Sequence, residues 1–256
     1  MTNIVDAHVS LVLPGRRLPD DESLWPTFES RLEVLREAGV TQALVTRWEG
    51  SDARAYGEFR RLNRQVAEIC NASDGLLIPA AVVDPALGKR VGDLLAYCRN
   101  ELDMRFVGET RYVRGRAPGA VGFWRVLEQA AALRMIPIVR CPDSALAEIG
   151  GRCISGKILI AEFVRWDDDW AAELSPYPDL YALFSGGRLT QTADGAAQCA
   201  TRTYGVGRMV FGSGLAGMDP VIAVECLRRS RLTDEEQALV FGANFRVLWQ
   251  WTEEVA

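Results

Sequence analysis

Histidine is almost absent from this chain: 256 residues contain one, His8. Imidazole is the usual side-chain ligand of catalytic transition metals and the usual base near neutral pH, so a site built on several histidines is excluded. Paired cysteines are missing too. Cys70, Cys98, Cys141, Cys153, Cys199 and Cys226 include no Cys-x-x-Cys spacing, which argues against zinc-finger and iron–sulfur sites and predicts free, mostly buried thiols. There is no basic block: 34 acidic residues face 29 basic ones, and a net charge of −5 gives no footprint for nucleic acid. Nor does any apolar run approach the roughly eighteen residues of a membrane span, and no basic region precedes an apolar stretch near Met1. The expectation is a soluble, cytoplasmic protein with neither a membrane nor a nucleic acid as partner.

What is present is apolar and periodic. Hydrophobic residues make up 48% of the chain, enough for one large core. Short β-branched or apolar runs recur at about 3–9, 41–47, 76–83, 105–111, 135–141, 156–164, 179–185 and 207–213, separated by helical periodicity. Eight strands alternating with helices predict a parallel sheet with right-handed crossovers. That is the count of a closed (β/α)₈ TIM barrel spanning 1–256 as a single domain, although an open doubly wound sheet has the same local pattern. Asp20, Asp21 or Ser23 is the expected cap of a first helix with Leu24, Phe28, Leu32, Leu35 and Ala38 on its apolar face, stopped by Gly39. Asp52 precedes a second helix through Tyr56, Phe59, Leu62, Val66 and Ile69. The 143–156 and 166–178 connections look short for full crossover helices, so the second half of the barrel is expected to be irregular. A last helix, capped by Thr233 or Asp234, runs towards Trp251 and should seal the bottom or side.

Three separated segments carry a family resemblance. They are Asp6-Ala7-His8-Val9-Ser10; Arg208-Met209-Val210-Phe211-Gly212-Ser213-Gly214 followed by Met218-Asp219-Pro220; and Phe241-Gly242-Ala243-Asn244-Phe245-Arg246-Val247-Leu248. In this order they resemble the amidohydrolase superfamily, in the amidohydrolase-related branch that includes decarboxylases and a pyrone-dicarboxylate lactonase. The resemblance implies the barrel rather than the open sheet. It also implies a divalent metal held by two histidines on strand one, one each at the ends of strands five and six, and an aspartate ending strand eight. This chain departs from that set at four of five positions. Ser10 replaces the second histidine, Cys141 stands at the end of strand five, Glu162 at the end of strand six, and Gly214 where the aspartate belongs. The expectation is no metal and no other cofactor, with a site rebuilt from His8, Cys141 and Glu162 as the alternative.

Strand ends, where barrel chemistry resides, are rich in charge: Arg47, Glu109, Arg111, Arg140, Glu162 and Arg165. Guanidinium groups make forked hydrogen bonds to carboxylates or phosphates, so these arginines, with Ser10 and Ser213, are candidate binders of a small anionic ligand. They could equally form ion pairs, Arg140 with Glu162 or Arg111 with Glu109, that fill the place of the missing cation. His8, Glu162 and Cys141 are the candidate catalytic groups. For His8 the plain structural expectation is a buried ring hydrogen-bonded by Asp6 or a carbonyl. The run Asp167-Asp168-Asp169 reads as a solvated helix start or loop, and Gly186-Gly187 and Gly212-Ser213-Gly214 as turns. Three functional readings stand. The first is a catalytically degenerate barrel serving as a non-catalytic or regulatory subunit, in a homo- or hetero-oligomer with an amidohydrolase-like protein, with Trp48, Trp124, Trp166, Trp170, Trp249 and Trp251 as exposed candidates for the interface. The second is a metal-independent hydrolase or lyase acting on a small carboxylated lactone or amide. The third is an anion-binding protein without turnover.

Overall fold

The computed structural model describes residues 3–19, 23–113, 118–152, 156–161, 176–185 and 205–253. Eight strands follow one another in a single parallel sheet, in chain order β1 to β8. They are β1 (Ile4–Val12), β2 (Val40–Glu49), β3 (Leu77–Ala81), β4 (Phe106–Arg111), β5 (Ile136–Arg140), β6 (Ile158–Ala161), β7 (Leu180–Ser185) and β8 (Met209–Gly212). The order is that of the TIM barrel, and each of the eight expected strands is found in its place. Between them lie α1 (Phe28–Glu37), α2 (Tyr56–Asn71), α3 (Val91–Leu102), α4 (Pro118–Ala132) and the short α5 (Leu146–Arg152), with α6 (Pro220–Arg228) following β8. β6 and β8 are only four residues long, in keeping with the expected irregularity of the second half.

Side chains sort onto two faces of the sheet. Val5, Leu44, Ile78, Phe106, Ile138, Leu159, Leu183 and Val210, drawn from all eight strands, form one apolar cluster that fills the lumen. Their sequence neighbours Ile4, Val45, Leu77 and Val107 join a second cluster with the helices outside. The barrel is therefore a packed core, as alternation on parallel strands requires. Closure between β1 and β8 uses residues just past β8: Gly214 N–H donates to His8 O at 3.0 Å, and Ser10 N–H donates to Leu215 O at 3.0 Å.

The helix ends refine the expectations. Thr27, not Ser23, caps α1, in a reciprocal box with Ser30. Leu24 lies ahead of the helix and is 84% exposed; Ser23 instead caps a local turn through Trp25 N, and Asp20 and Asp21 lie outside the described residues. Gly39 takes the left-handed conformation expected of a helix stop, with φ 74°. α2 starts at Tyr56, where the Glu58 carboxylate accepts from Arg54 N and Ala55 N. Thr233 caps the C-terminal stretch in a box with Glu236. That stretch runs through α7 (Asp234–Ala238), a π-helical turn (Leu239–Ala243) and α8 (Asn244–Glu253). Gly242 is obligatory within the turn, since a Cβ there would lie 2.8 Å from Asn3 O. α8 seals the bottom, delivering Phe245 and Leu248 into the lumen cluster.

Candidate functional site

Two bulges decide which β1 and β4 side chains reach the mouth. Along β1, Asp6 pairs with Ala43 and Val9 with Val45, so three steps on β1 match two on β2. Along β4, Val107 pairs with Pro137 and Thr110 with Val139, again three against two. A bulge inserts a residue and re-aims the side chains around it. Val5 and Ala7 face the lumen, yet Val9 and Leu11 pack outside. His8, between them, is turned across the barrel so that its Nε2 lies 3.2 Å from Glu109 Oε2. Glu109, at the β4 bulge, meets it from the other side.

A third group completes the chain. Arg140, the last residue of β5, places Nε 2.7 Å from Glu109 Oε1 and donates from Nη2 to Oε2 at 3.2 Å. The Glu109 carboxylate thus lies between an imidazole and a guanidinium, and its side chain is only 13% exposed. Burial works against its charge. The His8 hydrogen bond and the fields of His8, Arg140 and Arg47 outweigh it, so the carboxyl titrates below its ordinary value.

Asp6 lies beneath this chain and is fully buried. Its Oδ1 accepts from His8 N at 3.1 Å and from Ser213 N at 2.8 Å, tying β1 to the end of β8. Burial pushes its pKa up to about 6, against the opposing hydrogen bonds from Ser213 and His8. Its Oδ2 and His8 Nδ1 are buried without a hydrogen-bond partner. Gly212 is the clearance for His8, because a Cβ there would sit 2.6 Å from His8 Cβ. Ser213 is buried, with its hydroxyl accepting from Leu215 N, and Gly214 turns the chain with φ 72°.

Several sequence expectations change. Asp6 holds the backbone of His8, and the ring is held by Glu109, because the bulge turns the ring away from its own strand. The Arg140 partner is Glu109, set opposite it by the bulged β4; Glu162 and Arg165 lie outside the described residues, as do Trp166, Trp170, Asp167-Asp168-Asp169 and Gly186-Gly187. Arg111 is exposed and makes no ion pair with Glu109, whose carboxylate is already taken. Cys141 is buried in the outer cluster with Phe123, Leu127 and Leu146 beneath α4 and α5, so alternation sends it away from the lumen while Arg140 goes inward. Ser10 contributes its backbone, its carbonyl accepting from Arg31 Nη1 at 2.9 Å. Trp48 is a core residue, 6% exposed and stacked on Phe28; Trp124, Trp249 and Trp251 are half-buried.

One residue escaped sequence reasoning. Arg31, on α1, has no exposed surface. Its guanidinium donates to Trp25 O, Ser10 O, Ser23 Oγ and Glu49 Oε2. The signal was its place three residues after Phe28 and four before Leu35, on the inward face of the helix.

The described donors do not fit a divalent cation. Among the described residues no group of three or more His, Cys, Asp and Glu side chains converges. The imidazole nitrogen nearest the mouth faces Glu109, and both oxygens of that carboxylate are engaged by Arg140, whose fixed positive charge opposes a metal at the same place.

No family model and no curated protein matches the sequence. Solved structures match along nearly the whole chain. A dihydroxybenzoic acid decarboxylase from Polaromonas sp. JS666, with bound manganese and an inhibitor, superposes with a TM-score of 0.69 at 14% identity, covering 98% of this chain and 97% of that one. A 5-carboxyvanillate decarboxylase from Sphingomonas paucimobilis gives 0.69 at 13% identity, covering 98% and 99%. A probable 2-pyrone-4,6-dicarboxylic acid hydrolase from Acinetobacter baumannii, with citric acid bound, gives 0.67 at 14% identity, covering 97% and 99%. At these identities the likeness is one of fold, the (β/α)₈ barrel shared along nearly the whole of each chain.

Proposed function

We propose that the chain is an amidohydrolase-type barrel in which the Arg140 guanidinium stands in for the catalytic cation, and that it serves as a non-catalytic or regulatory subunit. Its partner would be a second copy or an active amidohydrolase-like protein. One observation carries this reading: the His8–Glu109–Arg140 chain across the mouth. In a metal hydrolase the strand-end donors converge on a cation and leave a position open for water. Here His8 and Arg140 both bond to Glu109, and a cationic side chain takes the lone pairs that a metal would need. Ser10 and Gly214 offer no replacement ligand of comparable strength, and Cys141 packs on the other side of the wall.

A second reading is favoured by one specific feature. The Glu109 carboxylate orients the His8 ring through Nε2, and Nδ1 has no partner but is buried, so this reading requires the wall over Nδ1 to open to substrate. In this reading the barrel is a metal-independent hydrolase or lyase. His8 is the base, and the exposed Arg47 and Arg111 orient a small carboxylated substrate. Native mass spectrometry of protein purified without chelators or metal-affinity resin, before and after zinc or manganese, reads metal content and assembly together. The proposal expects an assembled protein with substoichiometric metal and no turnover of aromatic carboxylates, lactones or amides. Near-stoichiometric tight metal overturns it. Turnover that vanishes in His8→Gln transfers the assignment to the second reading.

A further inference from the structure

The irregularity of β1 that aims His8 begins and ends within a few residues. Asp6 lies opposite Ala43 and Ser10 opposite Arg47, four steps apart on both strands, and from Ser10 to Val12 the pairing is regular. The residue inserted before Val9 is thus given back between Val9 and Ser10. So short an excursion keeps its shape only if both ends are held. Asp6 holds the lower end, its Oδ1 accepting from His8 N and from Ser213 N. The upper end is Ser10.

On parallel strands the N–H and C=O of one residue bond to the same neighbour. Ser10 N–H donates to Leu215 O, just past β8, and a β8 that ran on would offer an N–H to Ser10 O. Instead the chain turns back at 214–217, where Gly217 N–H donates to Gly214 O. The donor for Ser10 O comes from outside the sheet: Arg31 Nη1, on α1, at 2.9 Å. The same guanidinium bonds Trp25 O at 2.9 Å and Ser23 Oγ at 3.3 Å, ahead of α1, and Glu49 Oε2 at 3.0 Å, on β2. One planar fork without exposed surface therefore fixes β1, β2 and the start of α1 against one another. The single nitrogen of a lysine could not hold all of these acceptors at once.

We infer that Arg31 is a positioning residue of the mouth: by holding Ser10 O it closes the excursion of β1 and keeps the His8 ring turned onto Glu109. None of its hydrogen bonds goes to His8 or Glu109. It acts from two residues along β1, and because Trp25 and Ser23 share its guanidinium, it couples the aim of His8 to the segment ahead of α1. The inference rests on the His8–Glu109–Arg140 chain of the proposed function, and it holds whether that chain is inert or His8 acts as a base.

His8 is the one histidine of the chain, so its side-chain nitrogen–proton NMR correlation, in protein labelled with ¹⁵N-histidine, is a single unambiguous reporter. Glu109→Gln supplies the reference for a ring without its carboxylate, and its signal should differ from the wild type. Arg31→Met should move the His8 Nε2 resonance most of the way to that reference, and Arg31→Lys part of the way, with Glu109 itself intact. Leu35→Ala, a large-to-small change at a buried position of the same helix, loosens α1 without removing the donor to Ser10 O and should leave the resonance in place. Wild-type His8 signals in Arg31→Met overturn the inference, and if that variant does not fold, the same result in Arg31→Lys overturns it. A shift of equal size in Leu35→Ala also overturns it, because general loosening would then suffice. If Glu109→Gln leaves the resonance unmoved, the His8–Glu109 contact itself fails, and the proposed function falls with the inference.

Discussion

The floor and the mouth of this barrel close the same lumen by opposite means. At the floor, Phe106 stacks on Phe245 with centroids 5.2 Å apart and lies 6.1 Å from Trp249, while Leu248 is fully buried. Arg105 and Arg134 cover the Trp249 and Trp251 rings at 4.5 and 4.7 Å. Arg134 also donates to Trp251 O from Nη2 at 2.7 Å. At the mouth the fill is Asp6, His8, Glu109 and Arg140, held by four short polar contacts. Apolar burial is non-directional and tolerates small displacements, whereas buried charge is stable only with a partner in place. The floor should therefore dominate stability, and the mouth should dominate its dependence on pH and on single-residue charge.

The sharpest way to test that contrast is to empty the floor. Phe106→Ala removes a fully buried ring from the lumen and should cost about 3–5 kcal/mol, read as a fall in the urea midpoint. A loss under about 1 kcal/mol would show that the floor is not the main support. Next in size is the pH response of Asp6. Its folded pKa of about 6 lies above its ordinary 3.8, so the folded state binds the proton more tightly. The corresponding stability is fully present below pH 3.8 and is lost as pH rises through about 6. The gap is worth on the order of 3 kcal/mol. Glu109 has the opposite sign, its stability being present above 4.5 and fading as pH falls through its lowered value. Between pH 7 and about 4.5 the wild type should therefore gain stability on acidification, and Asp6→Asn should abolish that gain in denaturation curves taken across the range.

Arg140→Met tests the mouth directly. It leaves the Glu109 carboxylate buried beside His8 alone and should destabilise by about 2 kcal/mol, below the usual 3–5 for a fully buried pair because the Arg140 side chain is 31% exposed. It should also raise the Glu109 pKa, visible as a shift of the acid limb to higher pH. The smallest effect is expected at Arg111→Gln, which breaks no contact with a described residue and should change the thermal midpoint negligibly, by less than about 0.5 kcal/mol equivalent.

Much of the fold was legible. Strand positions, the Thr233 cap and the Gly39 stop follow from local periodicity and from residues with narrow conformational preferences. The candidate site was legible in part. Its members His8, Glu109 and Arg140 stand out as rare or charged residues at strand ends, but their pairing did not follow. Alternation places Glu109 with Arg111 and suggests an Arg111–Glu109 bond; the bulge in β4 gives Glu109 to His8 and Arg140 instead. The buried Arg31 was hidden because a charged residue on an amphipathic helix is read as surface unless the partners of its inward face are known.

By itself, then, the sequence determined the element order, the apolar faces and the loss of the histidine and aspartate donors, because these depend on residue identity and on spacings along one chain. Tertiary structure decided which side of the wall Arg140 takes and which Cys141 takes, which strands carry the bulges, and which carboxylate meets Arg140. Those outcomes depend on register between strands far apart in sequence, where one inserted residue redirects a side chain from one face to the other.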